Sequence, residues 1–410
     1  LKSKFKINNI SGYDVCIVDG GNKYEELLLW FSRGAMNESS DFKGSTHLTE
    51  HLLAYLSIDG KCFRDFLSDN NIMTEYKTSY DFMYIYLRGR DKCISNNFFR
   101  IFEYLCHGVV YDTDIIKEKR VVHDERALRG SFIRSKIVDR HYKYVWKDNR
   151  GDDILGTADS VKLYNSKFFN RIRNEIISSE VLSIIYSGNS GDQISYDFRK
   201  IISSVDEETN SLIYDVVEPK KSFCYNETVE CKQDSEIKQC TLMYPVGKAH
   251  DRIDSIINSV FGLLLSFGTR GYLVDALRYG DRGVYYIIAK PSYLFDEGYI
   301  EITALINKGD VSETAYEIEM LLKNKSFENY IHDNLDFVKE EMLEFIDFQN
   351  GDSNSNKEFM LFLAKEKQIN GIKDLEIDAT KSIISSIEFK NIIDFRNRYI
   401  DDKCCKVLIG

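Results

Sequence analysis

The chain has 410 residues, 43% hydrophobic and 29% charged, which excludes a mostly disordered protein and is long for one core, so two domains of about 200 residues are expected. A formal charge of −11 argues against a general nucleic-acid binder, which needs a basic surface for phosphates, and no run approaches the roughly 18 apolar residues of a membrane helix. Nine cysteines, an odd number without a Cys-x-x-Cys pair, read as reduced thiols, and Leu1-Lys-Ser-Lys4 lacks a signal-peptide core, so a soluble cytoplasmic protein is expected.

In chain order, residues 4–10, 13–18 and 26–33 read as strands. A helix is expected from the N-cap types Ser45-Thr46 to about Leu56, with Leu48, Leu52 and Tyr55 as its apolar stripe. It carries His47-Leu-Thr-Glu50-His51. Positions i, i+3 and i+4 project from one helical face, so both imidazoles can reach one ion while Glu50 stands beside it to handle the proton of a water; this is the inverted zinc-peptidase motif. Asp81–Leu87 reads as a half-buried strand, and 95–107 and 114–129 as helices. A hydrolytic zinc keeps three protein ligands and one open position, so a third ligand must come from elsewhere. In Glu118-Lys-Arg-Val-Val-His-Asp-Glu125 the two glutamates lie two helical turns apart on a common face. His123 is a rival by residue type, but two residues from Glu125 it turns to a different side.

The polar stretch Asp206–Ser211, continuing toward Glu218-Pro-Lys-Lys221, marks a linker, 206–222, between domains 1–205 and 223–410. Beyond it a similar order recurs: strand 238–245, helices 251–266 and 271–278, strands 284–290 and 297–306, helices 311–323 and 327–346, and a last strand at 405–410 comparable to 181–188. No His-x-x-Glu-His occurs there, so this half reads as a duplicated domain without a metal site. Strands followed by helices, with few parallel βαβ units, indicate an α+β fold: two homologous sandwich domains, each a mainly antiparallel sheet covered by helices. Gly268-Thr-Arg-Gly271 reads as a turn, Asn350–Lys357 as a polar connection and Cys404-Cys405 as structural. His107, His141, His250 and His332 stand apart and receive no role.

The histidine pair, followed about 75 residues later by a helix bearing Glu-x6-Glu, resembles the insulinase, pitrilysin and mitochondrial-processing-peptidase family. The resemblance extends to Leu27–Glu38 with Gly44, to the Gly156-Thr157 segment of Ile154–Ser160, to Val181–Gly188, and to the Arg, Gly and Tyr segment Leu277–Tyr286. It implies Glu125 as the third zinc ligand, one Zn²⁺ per chain, Glu118 as an acid that orients the site, and Glu50 as general base. It also implies that Arg278 and a tyrosine help hold the substrate carbonyl; the Arg-to-Gly spacing is one residue longer than in the family, leaving Tyr285 and Tyr286 in competition, with Tyr286 favoured by its distance from Gly283. Where the family has Asn-Ala in the edge strand that pairs with bound peptide, this chain has Thr74-Glu75-Tyr76.

What the resemblance implies is a zinc metalloendopeptidase that cleaves peptides or flexible protein segments, with leader-peptide or precursor processing among the roles it admits. The family's chamber needs four such domains, so a two-domain chain is expected to pair, as a homodimer or with a homologous subunit. A structural or partner subunit with little activity alone is the alternative reading.

Overall fold

The strand β3 (Tyr24–Phe31) reads Tyr-Glu-Glu-Leu-Leu-Leu-Trp-Phe and is buried along almost its whole length, as a central strand covered on both faces must be. Leu27, Leu29 and Phe31 enter the main core of their sheet. On the opposite face, Trp30 Nε1 donates to Gln368 Oε1 at 2.9 Å, and Glu26 accepts the backbone N–H of Asn356 at 2.7 Å.

The computed structural model describes residues 5–18, 23–131, 142–147, 151–204, 223–232, 237–248, 250–279, 283–294, 297–349, 356–370, 377–401 and 403–410. The expected linker 206–222 and most of the polar connection at 350–357 lie outside these residues. The chain forms two units, Leu1–Lys136 with Asp148–Lys221 and Gln349–Gln368, and Ile137–Lys147 with Ser222–Phe348 and Ile369–Gly410.

In the first unit β1 (Phe5–Ile10), β2 (Tyr13–Val18), β3, β6 (Met73–Thr78), β7 (Met83–Arg90) and β8 (Leu182–Ser187) form a six-stranded sheet ordered β1-β2-β8-β3-β7-β6. Only β2 and β8 pair in parallel. A separate two-stranded ribbon joins β4 (Ser57–Ile58) to β5 (Lys61–Cys62). The same unit holds the helices α1 (Ser45–Leu53), α2 (Phe63–Asp69), α3 (Cys93–His107) and α4 (Asp112–Ser131), with Ala158–Leu163, Ser166–Ile176, Gly191–Ser204 and most of Lys357–Asn370. Leu48, Leu52, Phe98, Phe102, Phe169 and Phe198 join the strand residues in one core.

The second unit holds β9 (Thr228–Cys231), β10 (Lys238–Lys248), β11 (Val284–Leu294), β12 (Glu297–Ile306) and β13 (Cys405–Ile409), ordered β11-β12-β10-β13-β9. Here too one pair is parallel, the last strand β13 with β9, as β8 is with β2. Matching β2, β3, β6, β7 and β8 to β9 through β13 in turn reproduces order and sense throughout. The fold is therefore α+β, a mainly antiparallel sheet with helices in each unit.

Two local expectations are corrected. Ser45 and Thr46 lie inside α1 and Gly44 is its N-cap, while the helix ends at Leu53, leaving Tyr55 beyond it. Where a helix was expected at 271–278, Val274–Arg278 forms a π-helical turn. The helices at Lys357–Asn370, Ile377–Ser386 and Phe389–Tyr399 were not anticipated.

Candidate metal centre

The first turn of a helix leaves backbone N–H groups without intrahelical partners. In α1 two of them are met from outside. The Glu38 carboxylate accepts the N–H of Gly44 at 2.7 Å and of Thr46 at 2.6 Å, a placement that also suits the positive end of the helix dipole. Burial pushes the Glu38 carboxyl up to about 7, against those two N–H groups and the charge of Arg33. Leu48, Leu52 and Leu53 are fully buried, and the Thr49 hydroxyl lies 2.6 Å from that of Tyr164. With its other sides packed, α1 turns His47, Glu50 and His51 toward α4.

From α4, Ile115 and Val122 enter the core while Glu118 and Glu125 face α1. Glu125 Oε2 is 3.1 Å from His47 Nε2 and 3.7 Å from His51 Nε2. Donor atoms of His47, His51 and Glu125 all lie within 4.8 Å of one another, which among the described residues makes them a group able to hold a metal ion. Tetrahedral zinc with ligands at 2.0–2.2 Å needs donor atoms about 3.3 Å apart, so the set fits. The buried Glu118 holds His51 Nδ1 at 2.9 Å. With Nδ1–H donated to that carboxylate, the Nε2 lone pair is left for a metal.

Glu50 Oε2 lies 3.5 Å from His47 Nδ1 and accepts a hydrogen bond from the Thr78 hydroxyl at 2.7 Å. Burial opposes a charged His47, but hydrogen bonds to Glu125 and Glu50, with their charges, prevail and raise its pKa to about 9. His123 is exposed beside Asp124 and outside the metal group.

One loop ties both histidine- and glutamate-bearing helices together. Ser160 Oγ donates to Lys43 O at 2.6 Å and Lys43 Nζ pairs with Asp152 at 2.6 Å, at the approach to α1. Arg126, next to Glu125, donates to Leu155 O at 2.9 Å. The backbones cross where Gly44 has φ +83° and Gly156 φ +64°; a Cβ on Gly156 would stand 2.1 Å from Lys43 O.

The remaining expected site residues divide between the units. Thr74 and Tyr76 pair with the core residues Leu87 and Ile85 and share the face of β6 that looks to α1, as does Thr78. Glu75 points to the other face, where it accepts from Tyr84 Oη at 2.7 Å and from Lys357 Nζ at 2.5 Å. Arg278 is exposed at the end of the π-helical turn, over the Tyr279 ring. Tyr285 and Tyr286 sit at a β-bulge in β11, 64% and 38% exposed. Sequence reasoning gave no role to Thr78, Glu38 or Ser160. Thr78 had a signal in its even spacing from Thr74 and Tyr76 along one strand face, and Glu38 and Ser160 lie in two of the segments that carry the resemblance.

No helix among the described residues is long and apolar enough to cross a membrane. No family model matches the sequence, and no curated protein matches it. Solved structures do. A protease from Helicobacter pylori superimposes with a TM-score of 0.87 at 16% identity, covering 100% of both chains. The peptidase M16 inactive domain from Pseudomonas fluorescens gives 0.83 at 13% identity, covering 99% of this chain and 97% of its own. The first half of the periplasmic protease PqqL from Escherichia coli gives 0.76 at 13%, covering 99% and 92%. At such identities the likeness establishes an M16-like peptidase fold, and the reading of the chemistry rests on the residues.

Proposed function

We propose that the protein is a zinc metalloendopeptidase acting on peptides or flexible protein segments. The observation that carries this is the convergence of His47, His51 and Glu125 on one point, with His51 oriented by Glu118 and Glu50 alongside. When bound, Zn²⁺ supplies a Lewis acid that polarises the scissile carbonyl and acidifies water at neutral pH. His47 and His51 offer imidazole nitrogens and Glu125 a carboxylate oxygen; Glu118 fixes the His51 tautomer. Glu50 takes the proton of the attacking water and returns it to the leaving amine as the C–N bond breaks. Peptide adds as an extended strand to β6, at the sheet edge, beside Thr74, Glu75 and Tyr76. Arg278 and Tyr286 assist at the substrate carbonyl within a dimeric chamber, formed by two copies or with a homologous subunit, and precursor or leader-peptide trimming is the role proposed. A cytoplasmic location is part of this reading and rests on nine free thiols, although the Escherichia coli neighbour is periplasmic.

The test is metal analysis together with turnover. His51→Ala and Glu125→Ala are expected to lose zinc from about one per chain, whereas Glu50→Gln keeps zinc and loses peptide cleavage. Full zinc in both ligand variants, or near-normal turnover in Glu50→Gln, would overturn the reading. Likeness to an inactive domain supports a second reading, a partner subunit with little activity alone. That reading expects no cleavage by the chain at any zinc content and activity only with a co-purified homologue.

A further inference from the structure

We infer that Thr78 is a positioning residue for Glu50 and makes the edge strand β6 part of the proton-transfer apparatus. This rests on the proposed role of Glu50 as base. A general base works only if one carboxylate oxygen faces the reacting water, and a glutamate on a helix surface has three side-chain torsions with which to miss it. Here the hydroxyl of Thr78 donates to Glu50 Oε2 at 2.7 Å, and the same oxygen lies 3.5 Å from His47 Nδ1. Oε2 is thus engaged on two sides, which leaves Oε1 as the oxygen for the water.

Thr78 is itself well held. It is the last residue of β6, paired with the buried Met83 of β7, and its even spacing from Tyr76 keeps its side chain on the α1 face. On the opposite face the same strand is fastened at Glu75 by Tyr84 and Lys357. Among the described residues β6 has a strand partner on one side only, so a peptide that adds to its free side would pair with the strand that carries Thr78. One strand thus carries both the sheet edge and the residue that positions the base.

Thr78→Val keeps the shape and removes the donor. A hydrogen bond to a charged group is worth enough that its loss lowers kcat by about ten- to a hundredfold, with KM and zinc content unchanged, and Thr78→Ser restores most of the rate. A crystal structure of metal-free Thr78→Val is expected to find the Glu50 carboxylate away from its place beside His47, and that of Thr78→Ser to find it in place. An unmoved carboxylate in Thr78→Val, or unchanged turnover, overturns the inference; the crystal structures decide if the chain alone cleaves nothing. Should Thr78→Val not fold, Thr78→Ala is read by the same criteria. An active Glu50→Gln would sink the base reading itself, whereas an inactive Glu50→Gln beside a normal Thr78→Val would sink only the role of Thr78.

Discussion

His47, proposed above as a metal ligand, is first of all a proton site. It lies between Glu125 and Glu50, whose hydrogen bonds and charges outweigh the burial that disfavours its charge and raise its pKa to about 9 in the metal-free protein. The sign follows from linkage. Because the folded pKa lies above the ordinary value of 6.5, the ion pair stabilises the metal-free fold fully below pH 6.5 and is lost as pH rises through 9. Zinc requires the opposite state. At pH 7.5 each Zn²⁺ bound is expected to expel about one proton, where an ordinary imidazole would release about a tenth. Calorimetric titration in buffers of different ionisation enthalpy measures this number directly. Apparent zinc affinity should rise about tenfold per pH unit until pH 9; a flat profile from pH 7 to 9 would show that His47 is already neutral.

At the scale of elements, the segment 152–160, a loop running into the helix Ala158–Leu163, ties α1 to α4 alongside the core. Gly156 is the tightest point, at φ +64° and with its Cβ position 2.1 Å from a backbone oxygen. Gly60 provides the control, since it has φ +79° but open space around it. Gly60→Ala carries only the left-handed strain, about 1 kcal/mol, whereas Gly156→Ala must also separate two backbones. We expect it to lower the melting temperature several degrees further and to weaken zinc at least about tenfold, read by thermal melts and a competing chelator. Equal effects of the two substitutions would remove the loop from any role in setting the gap. These contacts also show where legibility ended. β2, the strand at 297–306 and the face shared by His47, Glu50 and His51 were readable because periodicity is local. The cap on α1 was misassigned to Ser45-Thr46 because its true acceptor, Glu38, stands outside the helix. Ser160 reaches Lys43 across 117 residues, and no local pattern encodes such a contact.

Across the whole molecule, the two sheets share one strand order, yet the helix Arg252–Ser266, which follows β10 as α1 follows β3, carries no histidine. The second sheet thus shares the topology of the first without histidines on the matching helix. Each unit also takes a segment from the other half of the sequence, residues 349–368 in the first and 137–147 in the second. In the first unit Lys367 pairs with Asp14 at 2.7 Å, Asn356 with Ser187 at 2.7 Å, and Gln368 donates to Asp81 O at 2.8 Å. Phe359, Met360 and Leu363 on the same helix are buried; this apolar stripe would look the same whichever core it joined, so the sequence did not reveal its destination. At about 1.5–3 kcal/mol for each large apolar side chain, these three contribute on the order of 5–9 kcal/mol. That is comparable to the whole stability of an ordinary domain, about 5–15 kcal/mol. A fragment of residues 1–221 keeps every residue of the metal group but lacks this helix, and with it the bonds of Asn356 to Glu26, Gln368 to Trp30 and Lys367 to Asp14. Such a fragment is expected to be insoluble, or to melt without a cooperative transition and to bind zinc weakly. Co-expression with residues 222–410 should restore a soluble complex that melts cooperatively and binds about one zinc. Cooperative unfolding of the lone fragment at the melting temperature of the full chain would refute the dependence, and make the exchanged helix an accessory of the fold.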